Sequence, residues 1–164
     1  MIDNKQKVTI YTDGACIGNP GYGGYGAVLL HKNHRKELSG GLGPTTNNRM
    51  EIIAAIVGLE ALKRACEVDL YSDSLYLVDS MVKRWAYRWR ENDGFRDKKK
   101  TKKAKNYDLW IRLMDLCDKH KVNFIWVKGH NGNPINERCD VLAEEAARKS
   151  DLPADEGYVA VSDD

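Results

Sequence analysis

The sequence predicts an α/β domain with a mixed sheet and the element order βββ-α-β-α-α-β-α. Apolar and polar residues alternate over residues 7–16, as in a strand with one buried face. Residues 45–48 are rich in helix N-cap types and precede Met50, Ile53 and Ile56, which are spaced as on one helix face. Strand and helix patterns then alternate, which is typical of α/β folds.

The remaining elements follow from the same patterns and from turn residues. The first strand meets a turn at residues 18–21, and strands at 26–31 and 36–43 continue it as an antiparallel meander. The first helix is predicted to extend to about Ala65. After it we expect a strand at 67–72, helices at 74–89 and 107–120, a strand at 122–128 and a helix at 136–149.

Length and composition indicate one globular domain. Of 164 residues 42% are hydrophobic and 30% charged, so a packed core is expected at residues 1–150, with residues 151–164 as a solvated or disordered acidic tail. Residues 1–5 lack an apolar signal region, and the longest apolar stretch, 52–59, is too short to span a bilayer. We expect a cytoplasmic monomer without membrane partners. Four cysteines without paired spacing predict reduced thiols and no zinc site.

A net charge of +2 conceals a strongly basic segment at residues 83–105. Eleven Lys and Arg residues there against three acids give +8, which leaves −6 for the rest of the chain. Trp85, Trp89 and Phe95 lie among the basic residues, a combination typical of nucleic-acid-binding surfaces. The alternative is a solvated face whose tryptophans pack into the core, and this alternative suits Trp89 best.

A glycine-rich stretch imitates a nucleotide-binding motif. Residues 21–26 satisfy the spacing G-x-G-x-x-G, but that fingerprint must open a helix, and residues 27–30 are strand-like. We interpret these glycines as shaping a hairpin. The P-loop pattern G-x-x-x-x-G-K does not occur in the chain.

Four acids lie among apolar residues at the ends of predicted elements, where an ionised side chain needs a compensating partner. Asp13 and Asp73 each end a predicted strand, at the edge where α/β sheets place ligands. Glu51 and Asp140 each share a helix face with small apolar residues, so both are expected to point inward. Singly, each acid is equally well interpreted as a cap or a surface charge.

Together, the four acids indicate a metal centre. Carboxylates that converge without matching basic residues repel one another unless divalent cations neutralise them. Hard oxygen ligands favour magnesium or manganese. A two-metal site for phosphoryl transfer is therefore predicted.

Five short motifs occur in order between about residues 7 and 149: Thr12-Asp13-Gly14-Ala15, Asn47-Asn48-Arg49-Met50-Glu51, Ser72-Asp73-Ser74, Lys128-Gly129-His130-Asn131-Gly132 and Glu137-Arg138-Cys139-Asp140. Through this ordered set the chain closely resembles bacterial ribonuclease HI, of the type 1 ribonuclease H family. The resemblance implies a ribonuclease H-like five-stranded sheet, three strands antiparallel and then two parallel. It also implies an endonuclease that hydrolyses the RNA strand of RNA-DNA hybrids.

The resemblance further implies the catalytic residues. Asp13, Glu51, Asp73 and Asp140 correspond to the family's ligands for two magnesium ions, with manganese as the alternative, and the products would carry 5′-phosphate and 3′-hydroxyl ends. His130 resembles the family's mobile, proton-handling histidine and is expected to assist rather than to be essential.

Substrate contacts are implied in the same way. The matching positions are Cys16, Asn19, Thr46, Asn47, Asn48 and Trp85, and residues 83–105 resemble a basic protrusion that contacts the DNA strand. Asn47 and Asn48 resemble the pair that contacts sugar hydroxyls and base edges, although alone they are typical helix caps.

The sequence departs from the family pattern at one place, in the residues that correspond to the family's phosphate-binding pocket. The family's Trp-x-x-Asn is Trp85-Ala86-Tyr87-Arg88 here, and one extra residue precedes it. Arg88 is expected to bind phosphate as a charged fork, and the extra residue to bulge its helix.

Two rival functions share these features. A module that holds hybrids without cutting them is disfavoured because all four carboxylates are present. A DNA nuclease or integrase on the same fold is disfavoured by Asn47 and Asn48 and by the short chain.

Overall fold

A computed structural model describes residues 6–160. Its strands are β1 Gln6–Ile17, β2 Gly21–His31, β3 His34–Thr45, β4 Cys66–Ser72 and β5 Lys121–Trp126. Its helices are α1 Asn47–Glu60, α2 Leu75–Val82, α3 Trp85–Glu91, α4 Tyr107–Lys119 and α5 Pro134–Ala147. Across these described residues, none of the helices has both the length and the apolar character needed to cross a bilayer.

The strands form one sheet in the order β3-β2-β1-β4-β5. β1, β2 and β3 pair antiparallel, whereas β4 pairs parallel to β1, and β5 parallel to β4. This arrangement confirms the predicted mixed sheet of three antiparallel and two parallel strands.

Helices cover both faces of the sheet because successive strand side chains point to opposite sides. Ile10 belongs to the main core, which α1, α2 and α4 complete, and Trp110 and Leu113 of α4 are fully buried in it. The next residue, Tyr11, packs in a smaller cluster with Cys139 and Leu142 of α5. The sheet is therefore buried on both faces around β1.

The glycines of residues 21–26 lie within β2, the strand that forms a hairpin with β1, so they shape the hairpin along its strand and not at its turn. A Cβ on Gly24 would stand 2.0 Å from the Ala143 carbonyl oxygen, and one on Gly26 would stand 2.5 Å from the Cys139 carbonyl oxygen. Helix α5 thus packs its backbone directly on β2. Glycine is required at these positions because no side chain fits between strand and helix.

The first helix ends at Glu60, not at about Ala65 as predicted. The Ala61 N–H still bonds to the Val57 carbonyl, but the Leu62 N–H bonds to the Leu59 carbonyl in a tighter turn. The chain has to reverse there because Cys66 begins β4 opposite Gln6 of β1.

The single helix predicted at residues 74–89 is two helices. α2 ends at Val82 and α3 begins at Trp85, and between them Arg84 adopts a left-handed backbone conformation with φ of 63°. The bulge expected from the extra residue before Trp85 is instead a break between two helices. The change of direction buries Ala86 completely and lets Trp89 pack against Trp110, which confirms the core interpretation of Trp89.

The segment after α5 is not a solvated tail over its described part. Pro153 and Asp155 exchange backbone hydrogen bonds with Gly43 at the end of β3, and Asp155 is ion-paired to Arg49. The expectation is wrong here because the buried guanidinium of Arg49 needs a carboxylate, and the sequence does not show that Asp155 supplies it. Residues 1–5 and 161–164, including the predicted absence of a signal region, lie outside the described residues.

Candidate active site

Two aspartates lie next to each other where the parallel pairing ends. β1 and β4 pair up to Thr12 opposite Ser72, and Asp13 and Asp73 are the next residues of the two chains. Asp13 lies inside β1 and not at its end, because β2 continues to pair with β1 beyond this point, with Gly26 opposite Asp13. Asp13 is consequently 4% exposed.

Helix α1 brings Glu51 to these aspartates. The helix packs so closely on β1 that a Cβ on Gly14 would stand 2.5 Å from the Glu51 nitrogen. The Gly14 N–H donates to Glu51 Oε1 at 2.7 Å and to Asp13 Oδ1 at 2.9 Å. One backbone amide thus holds the two carboxylates side by side.

Asp13, Glu51 and Asp73 form a cluster in which one carboxylate oxygen of each lies within 4.8 Å of the others. Burial, and then the charges of Glu51, Asp73 and Asp140, raise the pKa of Asp13 far above its usual range. Burial and the charge of Asp73 likewise raise the pKa of Glu51. Three hard oxygen donors that repel one another when ionised fit a divalent cation, whose charge removes the repulsion.

Asp140, the fourth predicted ligand, stands beside this cluster. It lies on α5 next to the buried Cys139, whose thiol donates to the Tyr11 carbonyl at 3.3 Å. Asp140 is outside the group of mutually close oxygens, yet its charge contributes to the raised pKa of Asp13. The structure therefore assembles three of the four predicted carboxylates and places the fourth at their edge.

The loop after β5 borders the cluster on the Asp73 side. Gly129 approaches so closely that a Cβ there would stand 2.7 Å from Asp73 Oδ2, and the Trp126 indole N–H donates to the Asp73 carbonyl at 3.2 Å. His130 follows Gly129 directly; it is exposed and has a left-handed backbone conformation with φ of 53°. The histidine predicted from the sequence thus lies next in the chain to a residue that touches the cluster.

Most of the predicted substrate-contact residues also form one surface patch. Asn19, in the turn after β1, accepts a hydrogen bond from the Asn47 N–H at 3.1 Å. Cys16 donates to the Thr45 carbonyl at 3.4 Å, and Thr46 caps α1 by accepting from the Arg49 N–H. Further contact positions at this helix N-terminus are the exposed Asn47 and Asn48.

Trp85 and Arg88 lie together on α3, apart in sequence from the patch. Trp85 is 36% exposed, with the Lys83 ammonium 5.4 Å from its ring centroid. Arg88 is exposed in the last turn of the same helix. The part of the basic segment that follows α3 is ordered by Asp97, which accepts hydrogen bonds from the Thr101 and Lys102 amides. The lysines of this part therefore project from a defined turn.

Sequence reasoning missed the two glycines that touch the cluster, Gly14 and Gly129. Both stand inside motifs that were recognised, directly after Asp13 and directly before His130. Their sequence signal was therefore present, but the contact each makes depends on how closely another element approaches. Arg49 was also missed, although a lone arginine in the apolar helix α1 is itself a signal of a buried ion pair.

Comparison with known proteins gives a consistent result. The family model for RNase H matches residues 5–148. A ribonuclease H of Syntrophus aciditrophicus is 62% identical over 156 residues, which is 95% of this chain and 89% of that protein. A ribonuclease H of Rippkaea orientalis is 59% identical over 96% of both chains.

Solved structures agree with the sequence relatives. LC9-RNase H1, a type 1 RNase H with the type 2 active-site motif, superposes with a TM-score of 0.80 at 28% identity, covering 90% of this chain and 74% of its own. LC11-RNase H1 in complex with an RNA/DNA hybrid superposes with a TM-score of 0.67 at 26% identity, covering 85% of this chain and 96% of its own.

The mixed sheet with a carboxylate cluster beside its parallel strands, together with these relatives, defines a hydrolase of the nuclease class. The chain belongs to the ribonuclease H family, as the sequence motifs predicted.

Proposed function

We propose that the protein is an endonuclease that hydrolyses the RNA strand of RNA-DNA hybrids and leaves 5′-phosphate and 3′-hydroxyl ends. The cluster of Asp13, Glu51 and Asp73 on a ribonuclease H fold is the observation that carries the proposal. The hybrid-bound structure of a relative, LC11-RNase H1, supports the choice of substrate.

Two magnesium ions, with manganese as the alternative, would be held by the four carboxylates Asp13, Glu51, Asp73 and Asp140. When bound, the ions supply activation of the attacking water and stabilisation of the leaving 3′ oxygen. The protein's own contribution is geometric: Gly14 orients Asp13 and Glu51 through its N–H, and the sheet and α1 exclude water from the buried side of Asp13.

His130 would handle protons beside this centre. Its exposed position on a loop that contains Gly129 and Gly132 suits a side chain that moves between substrate and solvent. Because Gly129 touches Asp73, the loop is anchored at one end close to the reacting phosphate that the cluster would hold. A role as proton carrier, not as metal ligand, fits this placement.

Selectivity for the RNA strand would come from the patch at the start of α1. Asn47 and Asn48 expose amide groups that both donate and accept, as recognition of a 2′-hydroxyl requires. Cys16, Asn19 and Thr46 would line the same groove, and Asn19 already holds the Asn47 backbone. Recognition would depend on the sugar and on hybrid shape, so no sequence preference is expected.

The DNA strand would lie on α3 and the basic segment. Trp85 offers a partly exposed ring for a sugar or base, and Arg88 a guanidinium for a phosphate. Exposed lysines at positions 98, 99, 100, 102 and 103 extend this surface. They would supply affinity through phosphate contacts.

One assay tests the proposal against its rivals. The protein is incubated with magnesium and, side by side, an RNA-DNA hybrid, duplex DNA and duplex RNA with end-labelled strands. We expect cleavage of the RNA strand of the hybrid alone, with 5′-phosphate products. Binding without cleavage would indicate a hybrid-binding module, and cleavage of duplex DNA would indicate a DNA nuclease. That the protein acts as a cytoplasmic monomer stays a prediction.

A further inference from the structure

A buried arginine stands directly beside the proposed RNA contacts. Arg49 follows Asn48 in the first turn of α1 and is 3% exposed. Its guanidinium donates to Asp155 at 2.7 and 3.0 Å, and to Asp108 at 2.9 and 2.8 Å. Both pairs are two-pronged, and such forks fix orientation as well as distance.

Asp155 reaches the same turn from its other side. Its carboxylate accepts from the Thr45 hydroxyl at 2.7 Å, and its backbone N–H donates to the Gly43 carbonyl at 3.2 Å. The Gly43 N–H in turn donates to the Pro153 carbonyl at 3.0 Å. The exposed pair Asn47 and Asn48 is therefore held at both flanks by residues 153–155, which follow the last helix.

Asp108 connects the same arginine to the basic segment. It lies in the first turn of α4, just after residues 83–105 end, and the neighbouring Asn106 also accepts from Arg49 at 3.4 Å. Asn106 donates to the Tyr76 hydroxyl at 3.2 Å, which ties this junction to α2. One guanidinium thus links the surface proposed for RNA with the base of the surface proposed for DNA.

This network contributes more to the relative positions of the segments that it joins than to the stability of the fold. A buried ion pair gains little over apolar packing of the same volume, because desolvation offsets most of the attraction. What the paired forks add is a defined distance and angle between the three segments that they join. A hybrid must be gripped on two strands at once, so that distance determines whether both sets of contacts form together.

We infer that Asp155, acting through Arg49 and Thr45, is a positioning residue for hybrid binding. It holds the Asn47 and Asn48 turn at a set distance from the basic segment, so Asp155, although it follows α5, belongs to the substrate-binding machinery. The inference rests on the proposed function, since it assumes that these two surfaces receive the two strands.

The test compares three full-length proteins on the hybrid with magnesium: wild type, Asp155→Asn and Glu156→Gln. Glu156→Gln removes an exposed charge from the adjacent position, outside the network. For Asp155→Asn we expect the KM to rise roughly 5-fold to 10-fold with kcat within about 2-fold of wild type, whereas Glu156→Gln should match wild type. Amide hydrogen exchange at residues 45–49 should be faster in Asp155→Asn than in either other protein.

An unchanged KM in folded Asp155→Asn would overturn the inference. So would a lower kcat at unchanged KM, because that pattern reports only a smaller folded fraction. If Asp155→Asn does not fold, Asp108→Asn, which removes the half-exposed partner of the same arginine, decides: a KM increase of about 3-fold supports the inference and an unchanged KM overturns it. Absence of hybrid cleavage by wild type would instead reject the proposed function.

Discussion

The Gly14 N–H donates to Glu51 Oε1 at 2.7 Å, at a point where β1 and α1 pack closely together. This bond joins an amide of the first strand to a carboxylate 37 positions later. It holds Glu51 toward Asp13, although the two carboxylates repel each other when both are ionised. The closeness of strand and helix is therefore part of the site.

Gly14→Ala should cost most of the activity. The added Cβ would stand 2.5 Å from the Glu51 nitrogen and the Met50 carbonyl carbon, so α1 must move away and carry Glu51 with it. We expect kcat/KM on the hybrid to fall by about 10²-fold, the cost of a displacement of about 1 Å in an active site. Gly58→Ala is the matched control: Gly58 faces β1 from α1, and its added Cβ would approach an Ile10 methyl group most closely, at 3.1 Å. Wild-type activity in Gly14→Ala would contradict this account.

Asp13→Asn should abolish cleavage while hybrid binding survives, because it removes a proposed metal ligand and leaves the basic segment intact. In EDTA it should also stabilise the fold. The folded-state pKa of Asp13 is raised, so its ionisation weakens the wild type as pH rises above the unfolded-state value of about 3.9. Thermal unfolding from pH 4 to 8 checks this, with the exposed acid Asp115→Asn as control. A variant no more stable than wild type at pH 7 would refute the predicted repulsion.

His130→Ala should slow turnover on the order of 10²-fold while magnesium affinity stays the same, as expected for a proton carrier. The measurements are kcat and magnesium titration by calorimetry. His34→Ala, at the exposed first residue of β3, should leave both unchanged. Complete inactivity together with lost magnesium binding would make His130 a ligand instead.

Replacing Lys98, Lys99, Lys100, Lys102 and Lys103 by Gln should weaken hybrid capture. The KM should rise and its log-log dependence on salt should flatten by about 0.7 to 0.9 for each phosphate that is no longer neutralised, with kcat intact. Replacement of five exposed lysines elsewhere, Lys32, Lys36, Lys63, Lys119 and Lys149, controls for net charge. If KM and slope match wild type, the five lysines form only a solvated face.

Acid should weaken the network around Arg49. Burial alone would raise the pKa of Asp155, but hydrogen bonds from Arg49 and Thr45 outweigh it and lower the pKa below its usual value. The carboxylate therefore adds stability above the unfolded-state pKa of about 3.9 and loses it as pH falls through the lower folded-state pKa. Denaturant unfolding of wild type and Asp155→Asn between pH 7 and 2 should converge at the acid end. A constant difference across this range would contradict the assignment.

Much of the fold followed from local patterns. The five strands and the helices α1, α4 and α5 were predicted because burial periodicity and N-cap residues such as Thr46 act over one or two turns of chain. The break at Arg84 was not, because a left-handed arginine has no local signal. It is imposed by the burial of Ala86 and the packing of Trp89.

The candidate site divides in the same way. Asp13, Glu51 and Asp73 were recognised as carboxylates out of place among apolar neighbours, and the structure brings them together. The closeness of Gly14 to Glu51 was not predictable, since it depends on how deeply α1 packs on the sheet. The position of Asp140, beside the cluster and not within it, likewise depends on how α5 packs on β2.

By itself, the sequence determined the family, the mixed sheet and the identity of the acids, because these depend on residue type and on spacing within short stretches. Only the tertiary structure decided that the glycines of β2 are contact surfaces for α5, and that Asp155 belongs to the domain. Asp155 and Arg49 are 106 positions apart, so no local sequence pattern indicates that they pair. A buried guanidinium must find carboxylates wherever the folded chain brings them, and that requirement is satisfied only in three dimensions.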